Sequence, residues 1–513
     1  MQHEVLFSLA AKAAARNPFS EERDSLDHAI IGRPIGSLSR GAVLQALVVT
    51  LSNAFAAIVD KGTTLSPGTP APQRHAFLFF LFHQSLADID SVLLMEKDSE
   101  VSTRRATLQR AKTPQALYER LRLHGSPPAE AAHFVSTFFQ MRKAFLNIES
   151  FLPGKGSSMR VLREGVWNAL FTARLDLLET KLSSRLRDFP ILMLGETGTG
   201  KSSAARALGE SHYVPFSPEL GAFRTPHFDA FVPVNINALT ESLFEAELFG
   251  YRKGAFTGAV ESHEGLLSRL GPHSSLFLDE IGDLPERLQV KLLEVLQERR
   301  FRQLGSTEAK TFEGRILAAT HRNPATLLST GKMREDFFYR ICALKLEFPS
   351  LRIRLEEDPD AMRMLVSQTL RRTLGDEVDP SLAEEVVANI EKECPRNYAW
   401  PGNVRELEQV VRRWLLTRTV GTAFESEHAP ALGPLLSTPI QMLGSKIPSK
   451  SSSEHAPHHD FSAFVQAACA AGMPLKALSA AVARKYLEQE GTLEKAARKA
   501  GIDWRTLKRL VES

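Results

Sequence analysis

Apolar residues recur at mixed three- and four-residue spacings through Leu44 to Val59, Leu78 to Leu94 and Phe134 to Phe151. That period predicts a mostly helical first 155 residues. Between the first two stretches, Gly62 to Pro72 (GTTLSPGTPAP) interrupts the period with Gly, Ser, Thr and Pro and predicts a loop. From about Gly156 to Leu416 the pattern changes: short apolar runs alternate with amphipathic stretches, which predicts an α/β part with a parallel sheet to about residue 350 and helices after it. Ala431 to His459 is rich in Pro, Ser and Gly and has little periodicity, the signature of a flexible linker. Helical spacing returns at the end. Four segments are therefore expected, at 1–155, 156–430, 431–460 and 461–513.

Composition narrows this little. With 43% hydrophobic and 24% charged residues the chain reads as globular, and a net charge of +3 identifies no partner, so any nucleic-acid surface must be local. Cys342, Cys394 and Cys469 lie far apart without metal-ligand spacing, which argues against a disulfide framework or a zinc site and fits a reducing cytoplasm. The opening MQHEVLFSLA has no basic leader before a long apolar stretch, and the run Ala76 to Phe82 is too short to span a bilayer. Neither secretion nor a membrane anchor is expected.

The chemistry begins at Pro190 to Leu194, a short apolar strand candidate that runs into Gly195-Glu196-Thr197-Gly198-Thr199-Gly200-Lys201-Ser202 and then a helical SAARAL. This is a complete GxxxxGKS phosphate loop in strand-loop-helix context. Its glycines let backbone N–H groups curl around phosphates, Lys201 meets the β and γ charges of ATP, and Ser202 is placed to ligand Mg²⁺. A second strand candidate, Leu276 to Leu278, ends in Asp279 and Glu280, where a nucleotidase needs one acid for the metal and one for the attacking water. Taken alone such a pair is more often a solvated strand end or a helix cap; the upstream phosphate loop reverses that weighting. A third run, Gly314 to Ala319, ends in Thr320 and His321, either γ-phosphate sensors or an ordinary strand end.

Glu247 to Ala259 (ELFGYRKGAFTGA) resembles the signature of the sigma-54-dependent transcription activators, bacterial enhancer-binding proteins of the AAA+ class. Its core is Gly254, Ala255, Phe256, Thr257, Gly258 and Ala259. Small residues around one aromatic make a loop tip able to press Phe256 and Thr257 on a partner. Without the resemblance, a turn holding a core phenylalanine is the better reading. The similarity continues through LFLDEIGDLPERLQVKLLEVLQERRFRQLGS, AATHRN, REDFFYRI and WPGNVREL, in that order, over about half the chain. It implies an AAA+ P-loop core with a helical lid, ATP with Mg²⁺ held at Ser202 and Asp279, and a ring, hexameric when active, that remodels the sigma-54 RNA polymerase holoenzyme. It further implies that Arg334 and Arg340 are arginine fingers reaching the neighbouring subunit's ATP, and that Arg405 is the lid arginine sensing nucleotide. Three departures stand out: His321 where many members have Asn, Ile236 where Cys is common, and a loop-like Pro349 to Arg354 in place of PPLRER.

At the far end, SAAVARKYLEQEG from Ser479, TLEKAARKA from Thr492 and Asp503 to Val511 read as three short helices, the last two joined at Gly501-Ile502. This is helix-turn-helix spacing, and Arg505, Thr506, Lys508 and Arg509 form a local cationic face on the last helix. The residues alone leave double-stranded DNA and a solvated basic helix in balance; the family's Fis-like ending favours DNA. The resemblance also implies a regulatory domain at the front, of a type the residues do not identify. Ile58-Val59-Asp60 is better read as an acid at a helix end than as a receiver strand. Two rivals remain open: a AAA+ remodeller of another partner, and a DNA-binding repressor with a regulatory ATPase fold.

Overall fold

The computed structural model describes residues 2–59, 64–99, 103, 111–172, 185–225, 231–375, 377–395 and 397–420. The expected linker and helix-turn-helix, with Arg505, Thr506, Lys508 and Arg509, lie outside them, as does Asp60.

The front of the chain is helical: α1 (Gln2–Ala14), α2 (Glu21–Ile31), α3 (Arg40–Val59), α4 (Ala71–Gln84), α5 (Leu86–Asp98), α6 (Thr113–Leu123) and α7 (Pro128–Phe151). Local signals set these bounds. Ser20 caps α2 by accepting from the Arg23 N–H, and Gly32, left-handed at φ 64, ends it. Apolar on every side, α4 runs through the centre of the bundle, with Ala76 to Leu81 all buried. Phe55 of α3 stacks on Phe7 at 4.5 Å and meets Phe77 edge-on at 5.0 Å. The periodicity of Leu78 to Leu94 is carried by two helices, α4 and α5, bent by 52° at Ser85. Among the described residues no single helix is long and apolar enough to cross a membrane.

Helix α8 (Ser157–Phe171) leads into the α/β part: β1 (Ile191–Leu194), α9 (Lys201–Gly209), a hairpin of β2 (Phe216–Ser217) and β3 (Ala222–Phe223), β4 (Phe231–Asn235), α10 (Glu241–Phe249) and α11 (Leu266–Arg269). It continues with β5 (Ser275–Asp279), α12 (Glu286–Glu298), a hairpin of β6 (Arg300–Arg302) and β7 (Ala309–Thr311), β8 (Arg315–Thr320), α13 (Pro324–Ser329), α14 (Glu335–Ile341) and β9 (Leu344–Glu347). Five strands form one sheet in the order β4-β5-β8-β1-β9, every pair parallel. The apolar runs read from the sequence are its central strands, buried on both faces as parallel strands under helices must be. One face packs Leu276 and Leu278 against α10, α12 and α14; the other packs Met193 and Phe277 against α8, α9 and Ile148 of α7.

Four helices follow: α15 (Leu351–Glu357), α16 (Ala361–Leu374), α17 (Pro380–Glu393) and α18 (Asn403–Thr417), with their own core around Trp400 and Trp414. Of the stretch Pro349 to Arg354, expected to be loop-like, Leu351 to Arg354 instead start α15, with Ser350 as its extended N-cap. Leu351 and Arg354, three residues apart, both turn inward there, a spacing the departure from the family pattern had concealed.

The helical front and the α/β part belong to one compact unit. Phe139 of α7 packs edge-on against Phe223 at 4.8 Å, and Ser136 Oγ accepts from the Phe216 N–H at 2.8 Å. The segment after α7 also reaches the helical lid: Lys155 N–H donates to Asp358 at 2.7 Å, and Arg354 donates to the Pro153 carbonyl at 2.7 Å.

Candidate nucleotide site and partner loop

The ends of β1, β8 and β5 form one edge, because Leu194 lies in register with Thr320 and Asp279 with Ala319. Parallel sheets present ligands at this carboxyl edge. The phosphate loop, Gly195 to Ser202, leaves β1 there and turns into α9 at Gly200, whose φ of 103 a side chain would resist. Thr199 Oγ1 donates to the Glu196 carbonyl at 2.8 Å and closes the loop. The Lys201 ammonium sits inside it, donating to the carbonyls of Gly195 at 2.7 Å and Glu196 at 2.9 Å. Burial lowers the Lys201 pKa, opposed by the charges of Glu280 and Asp279. The loop N–H groups, the α9 amino end and this ammonium together suit a polyphosphate.

Ser202 Oγ lies 3.4 Å from Asp279 Oδ2. Burial first, and then the neighbouring Glu280 charge, raises the Asp279 pKa. A hydroxyl beside an under-compensated carboxylate is a hard-oxygen donor pair of the kind Mg²⁺ takes. Glu280 follows Asp279 in a left-handed conformation, φ 62 and ψ 46, which for a residue with a side chain costs about 1–2 kcal/mol. The turn aims its carboxylate away from the strand toward His321, whose Nδ1 lies 2.7 Å from Glu280 Oε2 and whose backbone N–H points to the same oxygen at 3.4 Å. The imidazole thus makes the polar contact that an amide would make. Thr320 is buried, and its hydroxyl accepts from the Arg322 N–H at 3.1 Å.

The lid closes directly on this loop. A side chain at Gly198 would meet the Gly402 carbonyl at 2.2 Å and Arg405 at 3.1 Å, so only glycine admits the approach. The Val404 N–H donates to the Gly198 carbonyl at 3.1 Å. Arg405 is near enough for its charge to help lower the Lys201 pKa. Two residues not singled out in the sequence complete the junction. Arg352 of α15 forms a bidentate pair with Glu196 at 2.6 and 3.1 Å. Asn403, fully buried, donates to the Thr197 carbonyl and the Glu196 carboxylate, both at 3.1 Å, and accepts from the Leu351 N–H at 2.7 Å. Asn403 lies inside WPGNVREL; its φ of 53, unusual for a residue with a side chain, was not legible there.

Arg334 and Arg340 stand elsewhere. Arg334 caps α14 and pairs with Asp336 at 2.8 Å and Glu286 at 3.3 Å, while Arg340 donates twice to the Leu296 carbonyl, at 2.9 and 2.7 Å. Among the described residues neither bonds to its own phosphate loop.

The GAFTGA segment is a tight projecting turn on a two-point base. Tyr251 bridges His263 antiparallel and Leu304 parallel; Gly254 N–H then donates to the Ala259 carbonyl and Ala259 N–H to the Phe256 carbonyl. Ala259 is buried and anchors the turn; Phe256 is 47% exposed and meets Tyr251 edge-on at 5.0 Å. Thr257 is exposed at the tip. Gly254 and Gly258, at φ 82 and 102, make the reversal possible.

Residues 173–347 match the family described as the Sigma-54 interaction domain. This part of the chain is a sigma-54 interaction domain. Both the acid pair and the projecting turn lie within it, as does the whole five-stranded parallel sheet. The chain is 37% identical over 225 residues to the response regulator protein PilR of Pseudomonas aeruginosa, 44% of this chain and 46% of that protein. It is 38% identical over 227 residues to the DNA-binding transcriptional regulator NtrC of Azospirillum brasilense, 44% of this chain and 43% of that one. The chain thus spans a little under half the length of these curated relatives. A crystal structure of NtrX from Brucella abortus in complex with ADP overlays 77% of this chain and 78% of its own at 19% identity, with a TM-score of 0.40.

Proposed function

We propose that this protein is an ATP-hydrolysing transcription activator that works as a ring, hexameric when active, in the cytoplasm, and uses ATP turnover to remodel the sigma-54 RNA polymerase holoenzyme. One observation carries the reading: a complete phosphate loop and acid pair share a sigma-54 interaction domain with an exposed Phe256-Thr257 tip.

In this reading the N–H groups of Gly195 to Ser202 wrap the ATP phosphates, and Lys201 turns from the loop carbonyls toward the β and γ oxygens. Ser202 and Asp279 hold Mg²⁺, which supplies positive charge against the phosphates. Glu280, aimed by its left-handed turn, accepts a hydrogen bond from the attacking water and orients it on the γ-phosphorus. His321 and Thr320 sense the γ-phosphate, His321 by releasing or holding Glu280. Arg334 and Arg340 complete the site of the next subunit, where a guanidinium matches the charge spreading over the transferring group; their placement on α14, off their own phosphate loop, supports this role. Arg405 reports nucleotide to the lid. Gly254 to Ala259 extend and retract against sigma-54, and Arg505, Thr506, Lys508 and Arg509 hold double-stranded DNA upstream.

The test uses the full chain with ADP and aluminium fluoride as a transition-state mimic. Sigma-54 should be retained with the mimic, not without it, and not by Thr257→Ala. If sigma-54 is not retained while ATP turnover is intact, the protein is a AAA+ remodeller of another partner.

A further inference from the structure

A cavity of about 980 Å³ separates the helical front from the ATPase. Helices α1, α4 and α7 form one side; α8, the segment after α9 and the first residues of β5 and β8 form the other. Its lining is mixed. Leu78, Phe79, Phe82, Phe134, Phe138 and Met141 supply apolar wall, and Arg315, Arg187, His212 and His273 with Ser274 and Ser275 supply polar wall. The described lining holds four arginines and no Asp or Glu.

Two of those arginines are already neutralised within the bundle: Arg16 pairs with Glu22 at 2.7 Å and Arg23 with Asp27 at 2.8 Å. Arg315 is different. Its hydrogen bond among the described residues runs from Nε to the Phe189 carbonyl at 3.2 Å, which leaves the Nη fork without a carboxylate. Burial pushes its pKa down to about 10, with no opposing acid. Arg187 adds a second positive charge, which together with burial holds His273 below its usual range. Burial and Arg23 push His83 down to about 3, so that ring is a neutral hydrogen-bonding group at neutral pH. Half-buried at the cavity wall and without a carboxylate partner among the described residues, the Arg315 fork is open to an anion.

We propose that this cavity is a binding site for a small organic anion, a carboxylate or similar acid with an apolar aliphatic or aromatic body. The acid takes the Arg315 fork in a bidentate pair with Arg187 near it, and the body lies among Phe79, Phe82, Phe134 and Phe138. The size and the mixture of apolar walls with few convergent polar groups are those of small-molecule sites. The position suits regulation. Ser275 and Arg315 open the two strands that close with Asp279 and Thr320, so the anion would sit about 15 Å from the catalytic edge along rigid backbone.

The test is equilibrium binding to the full chain without nucleotide, so its outcome is independent of the ATPase reading. Anilinonaphthalene sulfonate is the fluorescent probe, with decanoate and its neutral counterpart decanol as competitors. One saturable probe site per chain is expected, displaced by decanoate and much less by decanol. Arg315→Met should weaken decanoate about tenfold or more, while Lys392→Met, at an exposed position of α17, leaves it unchanged. Ala14→Phe, which adds bulk to the cavity wall from α1 and leaves every lining arginine in place, should abolish probe and decanoate binding alike and guards against misfolding of the arginine variant. Absence of a saturable site overturns the proposal, as does equal decanoate affinity in wild type, Arg315→Met and Ala14→Phe, each shown folded by circular dichroism.

Discussion

Asn403 ties three pieces of the molecule together, and its removal should free the lid from the phosphate loop. Its side chain is fully buried and uses one acceptor and two donor positions, on Leu351 N–H, the Thr197 carbonyl and the Glu196 carboxylate. In Asn403→Ala the buried Leu351 N–H loses its partner, at about 1–3 kcal/mol. The partly buried Thr197 carbonyl loses a neutral bond of about 1 kcal/mol. The Glu196 carboxylate contributes little, since it keeps Arg352 and faces solvent. Alanine also tolerates φ 53 less well than asparagine, adding about 1 kcal/mol. The sum, about 3–5 kcal/mol, is roughly a hundredfold or more in the docked-to-undocked ratio of α18. Hydrogen exchange of the amides of residues 403–417 reads that ratio directly. They should exchange about a hundredfold faster, with those of β5 and β8 unchanged, and Asn403→Gly should recover only the backbone part. Exchange in Asn403→Ala within threefold of wild type would refute the junction as described.

Other expectations follow from the same site. Lys201→Ala should lose ATP affinity, measured with a fluorescent analogue; Glu280→Gln should bind ATP normally yet turn over about a hundredfold or more slower, and unimpaired hydrolysis by either removes the site assignment. Asp279→Asn should raise the thermal stability of the nucleotide-free protein while abolishing turnover. The raised Asp279 pKa means the folded state holds a proton that the unfolded state has already released, so stability falls as pH rises through that window. Removing the ionisable group should therefore help most above the window; a melting temperature that drops at neutral pH contradicts the assignment. Thr257→Ala should hydrolyse ATP at the normal rate but fail to open promoters in a permanganate footprint; normal opening would place the partner contact elsewhere.

Much of the phosphate-loop site was legible because it is written in local chemistry. The parallel strands are short, apolar and followed by the residues that must stand at their ends, so Lys201, Asp279 and Glu280 converge as their types and order imply. What escaped is non-local. Nothing within Pro349 to Arg354 announces a helix whose Arg352 meets Glu196, more than a hundred residues earlier. Nor does Asn403 announce the left-handed backbone that lets it reach Thr197. The front was legible as helices but not in arrangement, since α4 is apolar on all sides and its period names no preferred neighbour.

That arrangement bears on how the lid could be controlled. The helical front touches both halves of the nucleotide module: α7 packs Ala144 and Ile148 into the core under β1, while Pro153 and Lys155 just beyond it hold Arg354 and Asp358 of the lid. A lid that changed its angle to the sheet would strain or break the bonds at Lys155 and Arg354. Both contacts involve charged groups at partly buried positions, where each bond contributes about 1.5–3 kcal/mol. Together they are of the size of a regulatory coupling free energy. Bonds of this kind would couple the front to the lid, and α7, which ends two residues before Pro153, is the helix that contributes Phe134, Phe138 and Met141 to the cavity wall.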